Sequence, residues 1–249
     1  MSVIGKRMGM WRMKNVYKTK LQRKMEDKLK NVKSNQFVLM FHSISPKETW
    51  YNRDYCMTAE SFENLILGLG NKEVTFASLD DICAKSKWKT VCITFDDIFS
   101  DVFSNAYPIL KKYKIPFAVF VTADFIDKHN MISGEMLSAL SNERLCTIGA
   151  HTLSHRNLSE CRLREQFREI YQSKCILEYL TKKKVAYCAY PYGNMVHIPL
   201  TAVAMARFAG YKMAFSTIAG PVCNGMRFMM PRINVNEHNW KHILNKCSR

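Results

Sequence analysis

Two adjacent carboxylates, Asp96 and Asp97, end the apolar run "VCITF". Like charges side by side repel unless a cation or a shared proton relieves them. Further along, "HTLSH" sets His151 and His155 four residues apart, so that they share a face of a helix or an extended segment. Two imidazoles and one carboxylate, with a fourth position open to water, form a catalytic zinc arrangement. In such a site one aspartate serves as a ligand and the other stays free as a base beside the activated water. Each signal is weak alone. An H-x-x-x-H pair is common without a metal, adjacent acids often only favour a helix N-terminus, and a single His42 reads as a hydrogen-bonded core histidine.

Position is what combines them. His42 follows "FVLMF", the aspartates follow "VCITF", His151 follows "CTIGA", and "PYG" follows "VAYCAY". Each lies at the C-terminal end of an expected parallel strand, the end at which α/β barrels and open α/β sheets assemble their sites. Adjacent strand residues point to opposite faces, so both aspartates can serve one site only where the strand ends and the chain turns.

The elements that must hold these residues are legible from residue 36 onward. "QFVLMF", "VTFAS", "TVCITF", "PFAVFV", "CTIGA", "VAYCAY", "KMAFST" and "PRINV" read as strands. Between them, "TAESFENLILGL" (with Thr58 as N-cap), "LDDICAK", "NAYPILKKY", "GEMLSAL", "LREQFREIYQSKCILEYL" and "PLTAVAMARFAG" (stopped by Gly210) read as helices. Several strands are continuous apolar runs, which implies a sheet buried on both faces. Repeated β–α units of this kind mean a parallel sheet, either doubly wound or closed as a barrel.

The ordered set "TFDD", "HTLSH" and "YPYG", with "LMFHSIS" before it and "YPILKKYKIPFAVFVTADFI" within it, resembles the polysaccharide deacetylases of carbohydrate esterase family four. The resemblance covers most of residues 36–235. It implies a distorted (β/α) barrel of about seven strands and hydrolysis of N-acetyl groups on sugars with a divalent metal, typically zinc. By resemblance, Asp97, His151 and His155 look like the metal ligands and Asp96 like the catalytic base. Tyr192 matches the tyrosine whose backbone N–H stabilises the oxyanion, and Pro191 and Gly193 would shape its turn on the substrate side. His42 matches a histidine near the site in the branch that includes biofilm-polymer deacetylases. The pattern departs in three places. Ala189 stands where many relatives carry an arginine that holds the base, and Arg232 in "MPRINV" is the candidate replacement, counted with the substrate-side residues. Ile98 follows the aspartates in place of a frequent glycine, a change the turn is expected to tolerate. No aliphatic-x-His motif supplies the usual general acid, which leaves His42, His197, His238 and His242 as candidates.

The chain has 249 residues, 47% of them hydrophobic, and a net charge of +16. Residues 1–35 carry +9 of that charge. Met10, Met13, Tyr17, Leu21, Met25, Leu29 and Val32 recur there at steps of three and four, the pattern of a basic amphipathic helix. Such a helix either contacts a membrane surface or packs its stripe on the domain that follows. The expected organisation is thus an extension over 1–35 and a catalytic domain over 36–249. With the charge concentrated in the extension, a nucleic-acid-binding module is disfavoured. A non-catalytic carbohydrate-binding relative is the other alternative to an enzyme. Nine scattered cysteines without a C-x-x-C pair, and no secretory h-region, place the expected protein in the cytoplasm. The implied substrate is a nucleotide- or lipid-linked N-acetylated sugar, or an oligosaccharide, in surface polysaccharide synthesis.

Overall fold

In a computed structural model of the chain, the described residues are Asp27, Leu29, 32–45, 53–82 and 88–248. Seven strands form one parallel sheet in the order β10-β1-β5-β6-β7-β8-β9. They are β1 (Gln36–Phe41), β5 (Thr90–Phe95), β6 (Phe117–Val121), β7 (Cys146–Ala150), β8 (Tyr187–Ala189), β9 (Met213–Phe215) and β10 (Ile233–Asn234). The short β4 (Thr75–Phe76) adds to the start of β5. Met230 bridges in parallel to Phe215 of β9, while Ile233 pairs with Leu39 of β1. One segment therefore spans the seam between the sheet's two ends and gives the distorted barrel its closure.

Both faces of the sheet are buried, as the continuous apolar strands require. Leu39, Phe41, Val91, Ile93, Phe95, Phe117 and Val119 face the helices in one core. Their alternates Val38, Cys92, Ala118, Phe120, Tyr187, Ala189, Met213 and Phe215 fill a second core inside the sheet. Gly149 of β7 belongs to that inner face, because a Cβ there would meet the Phe120 ring at 2.5 Å.

Helices among the described residues include α1 (Ala59–Asn71), α2 (Tyr107–Lys112), α3 (Gly134–Asn142), α4 (Leu163–Phe167), α5 (Ser173–Thr181), α6 (Leu200–Phe208) and α7 (Trp240–Cys247). Thr58 caps α1 by accepting from the Ser61 N–H at 3.1 Å. Gly210, at φ 80°, ends the α6 region. A π-helical turn, Arg168–Gln172, joins α4 to α5, where one uninterrupted helix was expected.

Three other readings change. The described part of "LDDICAK", residues 79–82, is turn rather than helix. The sheet of β2 (Ser43–Ser45) and β3 (Cys56–Thr58) and the polar helix α7 were not anticipated, since three-residue strands carry no usable period. Most of the amphipathic N-terminal stripe lies outside the described residues. Leu29 is described, and it is buried against the position of Gly220.

Candidate active site

The inner-face alternation of each strand continues one step past its end. Val38 leads to His42, Cys92 to Asp96, and Gly149 to His151, so three separate strand ends deliver polar side chains to one mouth of the barrel. Asp97 would point away by the same rule, but the chain turns there. Asp97 takes a left-handed φ of 61°, and the Ile98 N–H closes a tight bond to the Asp96 carbonyl at 2.6 Å. That turn brings both carboxylates into one site.

Ile98 itself sits at φ 56°, a conformation disfavoured for a β-branched residue, with its side chain wholly buried. The replacement of glycine is therefore not neutral. Burial of the isoleucine side chain holds a strained backbone in place.

The His151–His155 segment is neither helical nor extended. Thr152 and His155 adopt φ 63° and 58°, and these left-handed residues bring the two imidazole centroids to 5.0 Å. The loop is clasped from two sides. On one, Ala123 and Asp124 donate their N–H groups to the Thr152 and Leu153 carbonyls at 3.2 and 2.8 Å. On the other, the buried Glu169 accepts from the Leu153 and Ser154 N–H groups at 3.0 and 2.9 Å and from the Ser154 hydroxyl at 2.6 Å. Glu169 was not singled out by its sequence. The available signal was a carboxylate on the buried register of Gln166, Ile170 and Leu177.

Asp97 Oδ1 lies 3.4 Å from His151 Nε2 and 3.2 Å from His155 Nε2. His151 donates its Nδ1–H to the Ala189 carbonyl at 2.9 Å, which leaves Nε2 as the lone-pair nitrogen facing Asp97. Burial drives the His151 pKa down to about 4, against the pull of both aspartates, so the ring is neutral at pH 7. Asp97 Oδ1 is buried and accepts no hydrogen bond. The Asp97 carboxylate and the two imidazoles thus converge, with ligand atoms within 4.8 Å of one another. Among the described residues, Asp97, His151 and His155 are the group close enough to share an ion, and this donor set fits a divalent metal.

Asp96 lies one step to the side, 3.9 Å from His151 Nε2. Burial raises its pKa, but the Arg232 charge, with His151 and the Arg232 hydrogen bonds, outweighs this and holds it down at about 2. The pair is bidentate: Arg232 Nη1 and Nη2 donate to Oδ1 and Oδ2, each at 2.6 Å. Arg232 is completely buried in the barrel. Its Nε donates to the Ser216 carbonyl, and its guanidinium lies over the rings of Phe120 and Phe215 at 5.4 and 5.9 Å. Ala189 belongs to the same inner core. A small residue at 189 and an arginine entering from β10 hold the base from within. So placed, the Arg232 guanidinium is engaged by Asp96 and the Ser216 carbonyl, the position expected of the residue that holds the base.

Tyr192 is half-buried at φ 63°, its ring 5.2 Å from His155 and 5.2 Å from His197. Pro191 and Gly193 are buried and shape the turn. At Gly193, with φ 57°, a Cβ would land 2.7 Å from the Thr217 nitrogen. His42 is buried, edge-on to Tyr55 at 4.8 Å, and its Nδ1 has no hydrogen-bond partner. Burial lowers its pKa, while Asp96 and Asp97 pull it up. His238 and His242 are exposed.

A parallel α/β sheet that gathers carboxylates and imidazoles at one mouth has the make-up of a hydrolytic site. The polysaccharide deacetylase family model matches residues 84–214, and the chain belongs to that family of amide-cleaving hydrolases. It is 29% identical over 231 residues, 85% of this chain and 77% of the relative, to the poly-β-1,6-N-acetyl-D-glucosamine N-deacetylase of Staphylococcus aureus strain MSSA476. Among solved structures, IcaB from Ammonifex degensii superposes with a TM-score of 0.77 at 24% identity, covering 86% of this chain and 97% of that one. The Streptococcus pyogenes deacetylase PplD gives 0.75 at 23% identity with the same coverage. Both structures show the shared fold.

Proposed function

We propose that the chain is a metal-dependent N-deacetylase that hydrolyses the acetamide of N-acetylglucosamine units in a β-linked glycan or its carrier-linked precursor. The observation that carries this is a base already ionised and clamped by Arg232, beside a three-ligand cluster whose Asp97 oxygen has no hydrogen bond. Asp97, His151 and His155 would hold a divalent ion such as zinc, which would supply Lewis acidity at the site.

The remaining steps belong to the chain's own residues. Asp96 accepts the water's proton, and Arg232 keeps it oriented and ionised. The Tyr192 backbone N–H, in the left-handed turn set by Gly193, donates to the developing oxyanion. The proton that Asp96 takes must reach the leaving amine, and His42, buried against Tyr55 and within electrostatic reach of Asp96 and Asp97, is the relay that accepts it and hands it to the amine; it is preferred to the exposed His238 and His242.

The named activity of the staphylococcal relative supports N-acetylglucosamine as the sugar. The eight cysteines of the described residues are free thiols, which supports a reducing, cytoplasmic setting and hence a precursor substrate. An acetate-release screen over β-1,6-N-acetylglucosamine oligomers, nucleotide-linked and lipid-linked N-acetylated sugars tests the proposal. Turnover of at least one class that disappears in Asp96→Asn is expected. Absence of acetate from every class with added zinc or cobalt would favour a non-catalytic carbohydrate binder.

A further inference from the structure

We propose that Glu169 is a positioning residue for the metal ligands, setting metal affinity through the loop that carries them. The inference rests on the reading of Asp97, His151 and His155 as ligands. It goes beyond that reading by assigning their geometry to a carboxylate outside the cluster.

The loop between the two histidines pays a conformational cost at Thr152 and His155, both left-handed. Such a backbone persists only when its surroundings over-determine it. Two successive N–H groups, from Leu153 and Ser154, converge on the single oxygen Oε2 of Glu169, a nest-like anion contact, while Oε1 takes the Ser154 hydroxyl. Without an acceptor these N–H groups would be unsatisfied in a closed environment, and the loop would turn them towards water. Turning them would rotate His155 out of register with His151, whose own ring is pinned to Ala189 and whose N–H is bonded to the Val121 carbonyl at 2.8 Å.

Glu169 is aimed by the π-helical turn Arg168–Gln172. The wider turn falls where the helix passes the loop, and such insertions often mark functional sites. A carboxylate buried to 4% exposure, on the helical segment that follows the histidine loop, then has a specific task. It acts on the ligands through the backbone and touches no reacting atom.

The test uses the full chain, stripped of metal and titrated with zinc(II) against a competing chelator, with the cobalt(II) d–d absorption spectrum recorded in parallel. All measurements are made well below each variant's unfolding temperature. Glu169→Leu is expected to weaken zinc binding by about 10- to 100-fold and to alter the cobalt spectrum, the size typical of losing a group that orients a ligand. Glu169→Gln can accept both N–H groups and donate to the Ser154 hydroxyl, so it should restore affinity and spectrum to near those of the unaltered chain. Ser154→Ala removes one of the three bonds and should weaken binding several-fold. A folded Glu169→Leu with zinc affinity within twofold of the unaltered chain and an identical cobalt spectrum overturns the proposal. If Glu169→Leu does not fold, the same result for Ser154→Ala overturns it. Failure of the unaltered chain to bind zinc is a different outcome, since it removes the metal reading itself along with this inference.

Discussion

Arg232 and Asp96 form a buried, bidentate ion pair, and such pairs are costly to break from one side because the remaining charge is stranded. Arg232→Leu should therefore destabilise the fold by about 3–5 kcal/mol, read by urea unfolding, and abolish turnover. Arg232→Lys keeps the charge but loses the planar fork. With a charged hydrogen bond contributing roughly 1.5–3 kcal/mol, kcat should fall about 10- to 100-fold while KM changes little. Wild-type kcat in Arg232→Lys would contradict the positioning role. Ile98 sets two effects against each other. Its left-handed backbone costs about 1–2 kcal/mol, but removing a buried isoleucine side chain costs about 2–5 kcal/mol. Burial wins, so Ile98→Gly should lose about 1–3 kcal/mol of stability. A gain in stability would show that backbone strain outweighs the packing.

At the scale of elements, β7 carries Gly149 because the inner core needs the space for Phe120, which in turn supports the Arg232 guanidinium. Gly149→Ala forces that ring aside and should cost about 1–3 kcal/mol, as overpacking does, with a fall in kcat from the disturbed Arg232. Unchanged stability and kcat would mean that the ring moves freely. The strands and their polar ends were readable because a buried parallel strand announces itself as an unbroken apolar run, and the residue after it is where chemistry gathers. The turn geometry was not readable. Nothing in "TFDDI" or "HTLSH" reveals left-handed residues at Asp97, Ile98, Thr152 and His155, since those conformations are imposed by contacts from elsewhere in the fold. The partnership of Arg232 with Asp96, 136 positions apart in the chain, needs the barrel seam to exist before it can be seen. Glu169 was hidden for a related reason: the helical period marks it as buried but does not say what it binds.

For the whole molecule, the excess positive charge is concentrated in residues 1–35, outside most of the described structure. No helix among the described residues is long and apolar enough to cross a membrane. If the extension carries membrane contact, a chain lacking residues 1–34 should lose its partition onto anionic vesicles and keep its catalytic activity; equal partition would remove that role. A ligand that binds only the folded state stabilises it, by about 2.7 kcal/mol at a hundred times its dissociation constant. Zinc should accordingly raise the unfolding temperature, and a chelator should reverse the shift. The most direct measurement is zinc stoichiometry and acetate release on the same preparations of the unaltered chain, His151→Ala and Asp96→Asn. The unaltered protein and Asp96→Asn should each hold about one zinc per chain and His151→Ala none, while acetate release should fall about 10²- to 10⁴-fold in Asp96→Asn. Zinc retained by His151→Ala, or full acetate release by Asp96→Asn, would contradict the division of labour between the two aspartates.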